Sequence, residues 1–246
     1  MVRYLCTLSY LGTRYKGFER QKELPTIQGK VEYALSYLSK ENVYIHGAGR
    51  TDAGVHAKGQ TFSFDFEKKL DEKEFLHAVN RLVPSDIKIL SLKEVPSSFD
   101  ARHSCAGKIY SYSLHHGERD PFALMEFQLE YPHFDFEAYK EALLLFKGKH
   151  DFKDFTTKPE DKDSFIRDIV DIHFDELKDG HLKVYFRGNG FMTYMVRIMV
   201  GAALKVGLGK MSLEEIKSHL DDSKRRIISY KAPAEGLCLE EVIYEQ

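Results

Sequence analysis

One aspartate, Asp52, stands in the run Gly47-Ala48-Gly49-Arg50-Thr51-Asp52-Ala53-Gly54-Val55-His56-Ala57, among three glycines and three alanines. Small residues let backbone and ligand approach closely, and a guanidinium two residues away favours the ionised carboxylate. The chemistry open to such a loop is that of a single poised carboxylate. The plain structural alternative is an Asx-type turn, in which Asp52 satisfies nearby backbone amides. A phosphate cradle of the GxxxxGK[ST] kind needs a lysine that does not follow Gly54. A metal-dependent hydrolase built on Asp52, His56 and His46 lacks a third ligand at a recognisable spacing, and His56 reads better as a hydrogen-bonding loop residue.

Other side chains with chemical potential lie downstream. Arg197 sits inside the apolar run MTYMVRIMVGAAL, where an unpaired arginine would be costly. Tyr110 and Tyr112 lie two apart on one strand face, so periodicity does not separate a ligand-facing tyrosine from a core one. Arg50 can bind phosphate or orient its loop. Arg14, Lys16, Arg20 and Lys22, interleaved with Tyr15 and Phe18, form a basic cluster, and Lys224-Arg225-Arg226 forms another. Charge runs are usually solvated faces, yet these are candidate phosphate contacts.

The elements that must position these residues follow from periodicity. Strands are predicted over Tyr4–Tyr10, Gln60–Phe66, Ile87–Val95, Lys108–His115 and Leu237–Tyr244. A hairpin is predicted from Ile166–Leu177 and His181–Arg187 around Asp179-Gly180. Thr26 caps a helix reaching Lys40, and Asp71, with Glu74 three residues on, caps one reaching Leu82. Further helices are predicted over Phe136–Lys147, Thr193–Val206 and Ser212–Leu220, and Thr156–Asp163 reads as a mobile loop. The order β-α-β-α-β returns in similar form, which predicts an α+β protein of two halves, 1–103 and 104–246.

The 246 residues carry a net charge of −2, which excludes a wholly basic nucleic-acid binder but leaves room for local patches. Cys6, Cys105 and Cys238 are odd in number and far apart, as expected of reduced thiols in a cytoplasmic protein. The N-terminus lacks an apolar signal region, and no apolar run approaches the ~18 residues of a membrane span.

With Gly59-Gln60-Thr61 after it, the Asp52 loop resembles the active-site loop of the tRNA pseudouridine synthases of the TruA family. Further segments match in the family's order. Tyr10–Phe18 resembles its YDGTxFxG(W/F) strand-turn, Thr26-Ile27-Gln28-Gly29 with Glu32 its TVQGxLE, and Asn80–Ile87 its NxxLPxDI. Phe99-Asp100-Ala101-Arg102 is similar to FHAR, Lys108–Tyr112 to KxYxY, and Gly148–Phe152 to GxHDF. Met195-Val196-Arg197 with Gly201 resembles MVRNxVG, and Ala232–Leu239 resembles APxxGLxL. The matches span nearly the whole chain.

The resemblance implies two ferredoxin-like or RRM-like halves whose antiparallel sheets join into one extended sheet flanked by helices, with the active-site cleft between them. It implies an isomerase that converts uridine to pseudouridine at positions 38, 39 and 40 of the tRNA anticodon stem-loop. Asp52 would be the catalytic carboxylate, attacking covalently or assisting proton removal, Tyr110 the base-stacking residue, and Arg197 the partner of Asp52. Arg50 would bind substrate, with Arg14, Lys16, Arg102, Lys108 and Arg225 as RNA contacts. No cofactor, metal or membrane is implied; a homodimer acting on tRNA is. Another structured RNA as substrate, or a catalytically silent RNA-binding protein on the same scaffold, are the alternatives. The chain departs from the family pattern at Glu19, Asp100, Tyr194 and Ile198-Met199, positions that bear on the RNA channel rather than on Asp52, Tyr110 or Arg197.

Overall fold

The computed structural model describes residues 1–157, 164–176, 180–221 and 228–245. Most of the expected loop Thr156–Asp163, the Asp179 end of the hairpin turn, and Lys224-Arg225-Arg226 lie outside them. The chain forms two compact units, Met1–Ala106 with Cys238–Gln246, and Gly107–Leu237. The last strand therefore belongs with the first unit, whereas chain order alone puts it in the second half.

In the first unit, Tyr4, Cys6, Leu8 and Tyr10 alternate inward along β1 (Val2–Tyr10). β1 lies antiparallel to β3 (His56–Phe66) on one side and β4 (Ile87–Val95) on the other. Phe62 and Phe64 are fully buried, each contributing about 1.5–3 kcal/mol by leaving water. Two-residue β2 (His46–Gly47) also pairs with β3. Helix α1 (Ile27–Ser39) starts where the Thr26 hydroxyl accepts from the Gly29 amide, and α2 (Glu72–Asn80) where Asp71 accepts from Glu74. Both caps are those expected from sequence.

β10 (Leu237–Tyr244) runs parallel to β3, pairing Cys238 with His56 and Leu239 with Ala57. This parallel pair stands beside the expected antiparallel ladders and makes the sheet mixed. β10 returns after a long excursion through the other unit, so no hairpin forces it antiparallel.

In the second unit, β5 (Cys105–His116), β9 (His181–Gly188), β8 (Ile166–Glu176) and β7 (Gly148–Asp151) pair antiparallel in that order. β6 (Phe127–Leu129) adds to β5 in parallel. Helix α3 (Phe136–Leu144) packs on α4 (Met195–Gly207), in which every residue but Arg197 and Lys205 is buried. α5 (Leu213–Asp221) opens on a reciprocal cap between Ser212 and Glu215. The architecture is α+β, as the sequence predicts. Among the described residues, no helix is long and apolar enough to cross a membrane.

Candidate active site

The Asp52 loop joins β2 to β3 and is gripped by the segment that follows β1. Phe18 N–H donates to Thr51 O (3.1 Å), and Gly54 N–H to Tyr15 O (3.3 Å). Gly17 has φ +98°, and a Cβ there would stand 2.8 Å from Thr51 O, so glycine is required twice over. A Cβ on Gly12 would collide with the Val55 carbonyl. Gly47 packs against the Phe18 ring. Gly12, Gly17 and Gly47 thus serve the packing of the loop.

Side chains complete the frame. The buried Tyr10 hydroxyl shares a 2.8 Å hydrogen bond with Thr51 Oγ1, and burial raises its pKa well above the ordinary value, so it stays protonated. Buried Gln60 donates to Gly49 O (3.1 Å) and accepts from Thr61 N–H (3.1 Å). Gln28 and Glu32 hold the Ile45 backbone just before β2. Val55 N–H donates to Asp52 O at 3.1 Å, closing a turn that leaves the Asp52 side chain half-buried. Tyr10 and Gln60, both within segments that match family motifs, are positioning residues to which the motifs assign no role. Their signal is a polar side chain in an inward-facing strand position.

His56 is fully buried, and its Nδ1 accepts from Gly12 N–H at 3.0 Å, which fixes the neutral ring as the Nε2–H tautomer. His46 is exposed. Among the described residues, Asp52, His46 and His56 do not converge as a metal-type cluster.

The candidate RNA contacts of the first unit face outward. Arg50 pairs with Glu19 at 3.0 Å, both largely exposed, so this departure from the family pattern supplies the loop arginine's partner. Arg14 pairs with Asp86 at 2.6 Å, and Tyr15 O–H donates to the other Asp86 oxygen at 2.6 Å. Lys16 and Arg102 are exposed. Asp100 accepts from the Arg102 and His103 amides at 2.9 and 2.8 Å. Burial opposes its charge, but these amides outweigh that and hold its carboxyl below the usual value. Aspartate at this position is therefore a turn cap.

In the second unit, Tyr110 on β5 is 8% exposed, with its ring edge-on to Phe191 at 5.1 Å. Tyr112 is fully buried and donates to Pro233 O at 3.1 Å; burial drives its pKa far up. The two tyrosines that periodicity leaves equivalent thus differ, Tyr112 being core and Tyr110 retaining a little access. Lys108 opens the same ladder opposite Gly188. Arg197 donates from Nε to Ala232 O, and its backbone carbonyl accepts from Ala232 N–H, both at 2.8 Å. Its guanidinium also lies 5.5 Å from the Tyr194 ring centre, and Lys231 lies 4.1 Å from the same ring. Tyr194 enters α4 at φ 62°, an unusual conformation for a residue with a Cβ. Arg225 falls outside the described residues.

An α+β chain that mounts one carboxylate on a doubly braced loop has the parts of a group-transfer or isomerase site. Sequence comparison makes this specific. Residues 7–104 and 142–245 match the family model described as tRNA pseudouridine synthase. The chain is 39% identical over 239 residues to tRNA pseudouridine synthase A 2 of Clostridium perfringens, covering 97% of this chain and 98% of that protein. It is 39% identical over 249 aligned positions to tRNA pseudouridine synthase A of Listeria monocytogenes serotype 4a, covering both in full. The Acetivibrio thermocellus protein of the same name is 37% identical over 96% of this chain and 97% of its own length. A solved archaeal box H/ACA sRNP Nop10-Cbf5 complex matches at TM-score 0.40 and 12% identity, over 83% of this chain and 44% of that one. The chain belongs to the tRNA pseudouridine synthase family, a family of isomerases.

Proposed function

We propose that this protein converts uridine to pseudouridine at positions 38, 39 and 40 of the tRNA anticodon stem-loop, with Asp52 as the catalytic carboxylate. The observation that carries the reading is the setting of Asp52: Tyr15 and Phe18 hold the backbone on either side of it, Tyr10 holds the Thr51 side chain, and the Asp52 side chain stays half-buried. A pre-positioned carboxylate is what the reaction needs. The C1′–N1 bond breaks, the base turns, C5 joins C1′, the C5 hydrogen leaves as a proton, and N1 takes one up. Asp52 serves as nucleophile at C1′ or as base beside an oxocarbenium-like ribose. The step is redox-neutral and calls for no cofactor.

In this reading Tyr110 stacks on the turned-out base, an interaction worth roughly 1–3 kcal/mol. Arg197 keeps Asp52 ionised, and Arg50, Arg14, Lys16, Arg102, Lys108 and Arg225 meet RNA phosphates. The enzyme works as a homodimer in the cytoplasm. The names of its full-length relatives support tRNA as the substrate class.

The test is tritium release from tRNA labelled at uridine C5, with pseudouridine mapped along the product. Wild type is expected to release tritium at the three positions, and Asp52→Ala to bind tRNA without release. Equal release by both proteins would remove Asp52 from the chemistry. Release confined to other positions or other RNAs would overturn the assigned substrate.

A further inference from the structure

The second unit carries a group of side chains that the proposed reaction does not use. His115 near the end of β5 and His181 at the start of β9 are register partners across the ladder. Their rings stack face to face, centroids 4.1 Å apart and planes 9° apart. Glu126, one residue before β6, brings its two carboxylate oxygens to 3.2 and 3.0 Å from His181 Nδ1. Gln128, the register partner of His115 on β6, sets its Oε1 2.8 Å from His115 Nδ1. One donor atom from each of His115, Glu126 and His181 lies within 4.8 Å of the others, and all three residues are partly buried. Glu126 Oε2 is shut off from water and makes no hydrogen bond despite its nearness to His181. A desolvated carboxylate oxygen without a donor is costly, and a cation relieves it.

We propose that His115, His181 and Glu126 bind one divalent ion of the Zn²⁺ class. Two imidazole nitrogens and one carboxylate oxygen suit Zn²⁺ and its neighbours in the transition series, whereas Mg²⁺ and Ca²⁺ prefer all-oxygen sets. Gln128 is the orienting residue, holding one nitrogen of His115 through its amide. Stacked rings keep their lone pairs in two parallel planes, so one imidazole turns about its Cβ–Cγ bond when the ion enters, and loss of the stack accompanies binding. The ion would pin β6 to β5 and β9, tying down the connection that leaves β5 at His116. Its role is structural and does not depend on the reaction proposed for Asp52.

The test is titration of the full-length protein with Co²⁺ and with Zn²⁺. One equivalent is expected to bind, with visible absorption of low-symmetry Co²⁺ and shifts of the ring ¹⁵N signals of His115 and His181. His115→Ala, His181→Ala and Glu126→Gln are each expected to weaken binding about tenfold or more, while a variant at exposed His133 leaves it unchanged. Zn²⁺ is expected to raise the wild-type melting temperature and to leave that of Glu126→Gln where it was. Failure of wild type to take up either ion overturns the proposal. So does uptake that persists in the double variant His115→Ala/His181→Ala, or ring signals that stay fixed as Zn²⁺ is added.

Discussion

Arg197 and Ala232 grip each other in both directions, Nε to carbonyl and carbonyl to amide, each at 2.8 Å. The side chain that motif reading marks as functional is therefore also a clamp on the segment leading to β10. Gly201, one turn further along α4, admits the same segment: a Cβ there would stand 2.7 Å from Tyr230 O. Lysine cannot reproduce a guanidinium that bonds through Nε while its far end does something else. Arg197→Lys is expected to lose the bond to the buried Ala232 carbonyl, costing about 1–3 kcal/mol in urea unfolding. Turnover should fall on the order of a hundredfold if the guanidinium acts on Asp52. A variant with normal turnover and reduced stability would leave Arg197 as a clamp alone.

The Tyr10–Thr51 hydrogen bond ties the first strand to the residue before Asp52. Tyr10→Phe keeps the ring and removes one hydroxyl, so the loss in stability is expected to be modest, about 1 kcal/mol. The effect on turnover should be larger than the effect on KM, because the carboxylate loses position rather than the RNA its contacts. Single-turnover tritium release at saturating tRNA separates the two. Unchanged turnover would show that the backbone bonds from Phe18 and Gly54 suffice to hold the loop.

Elements with strong periodicity or a local cap are legible in the amino-acid sequence. β4 and β10 fall on their predicted bounds, and Thr26, Asp71 and Ser212 cap the predicted helices. β2 and β7 are not legible, since two and four residues are too short to display a period. The parallel pairing of β10 is invisible there because strand direction is set by partners far away along the chain. At the site, Asp52 stands out by the small residues around it. The purpose of Gly12 and Gly17 does not, because it lies in contacts with Val55 and Thr51, more than thirty residues on.

Gly17 offers a direct check on the loop's bracing. Gly17→Ala places a methyl 2.8 Å from Thr51 O at a backbone angle that side chains disfavour. The cost is expected to exceed about 1 kcal/mol in chemical denaturation, with tritium release falling alongside. An alanine variant as stable and active as wild type would mean that the 51–53 backbone gives way freely.

Tyr110 and Tyr112 should part company on substitution. Tyr112→Phe leaves the Pro233 carbonyl without its donor and is expected to cost about 1 kcal/mol of stability with little effect on tRNA binding. Tyr110→Phe keeps an aromatic face and should retain most activity, whereas Tyr110→Ala should lose stacking worth roughly 1–3 kcal/mol. Binding and turnover assays on the three variants distinguish the roles. A Tyr112→Phe defect confined to catalysis would reverse the assignment.

Asp86 gives the first unit a pH-dependent brace. Burial alone would raise its carboxyl, but the hydrogen bond from Tyr15 and the pair with Arg14 outweigh it and hold the group below its ordinary 3.8. A depressed folded-state value means that the contribution is full above the unfolded value and is lost as pH falls through the folded one. Arg14 is 70% exposed, so solvent screens its share and the Tyr15 hydroxyl carries most of the effect. Asp86→Asn is expected to lower stability by about 1–2 kcal/mol at neutral pH. The gap to wild type should narrow as pH drops below about 4 and vanish once both proteins carry a neutral side chain there. Urea midpoints of the two proteins across an acid series measure that gap directly. A gap that stays constant with pH would mean that Asp86 braces the Tyr10–Phe18 segment by shape and not by charge.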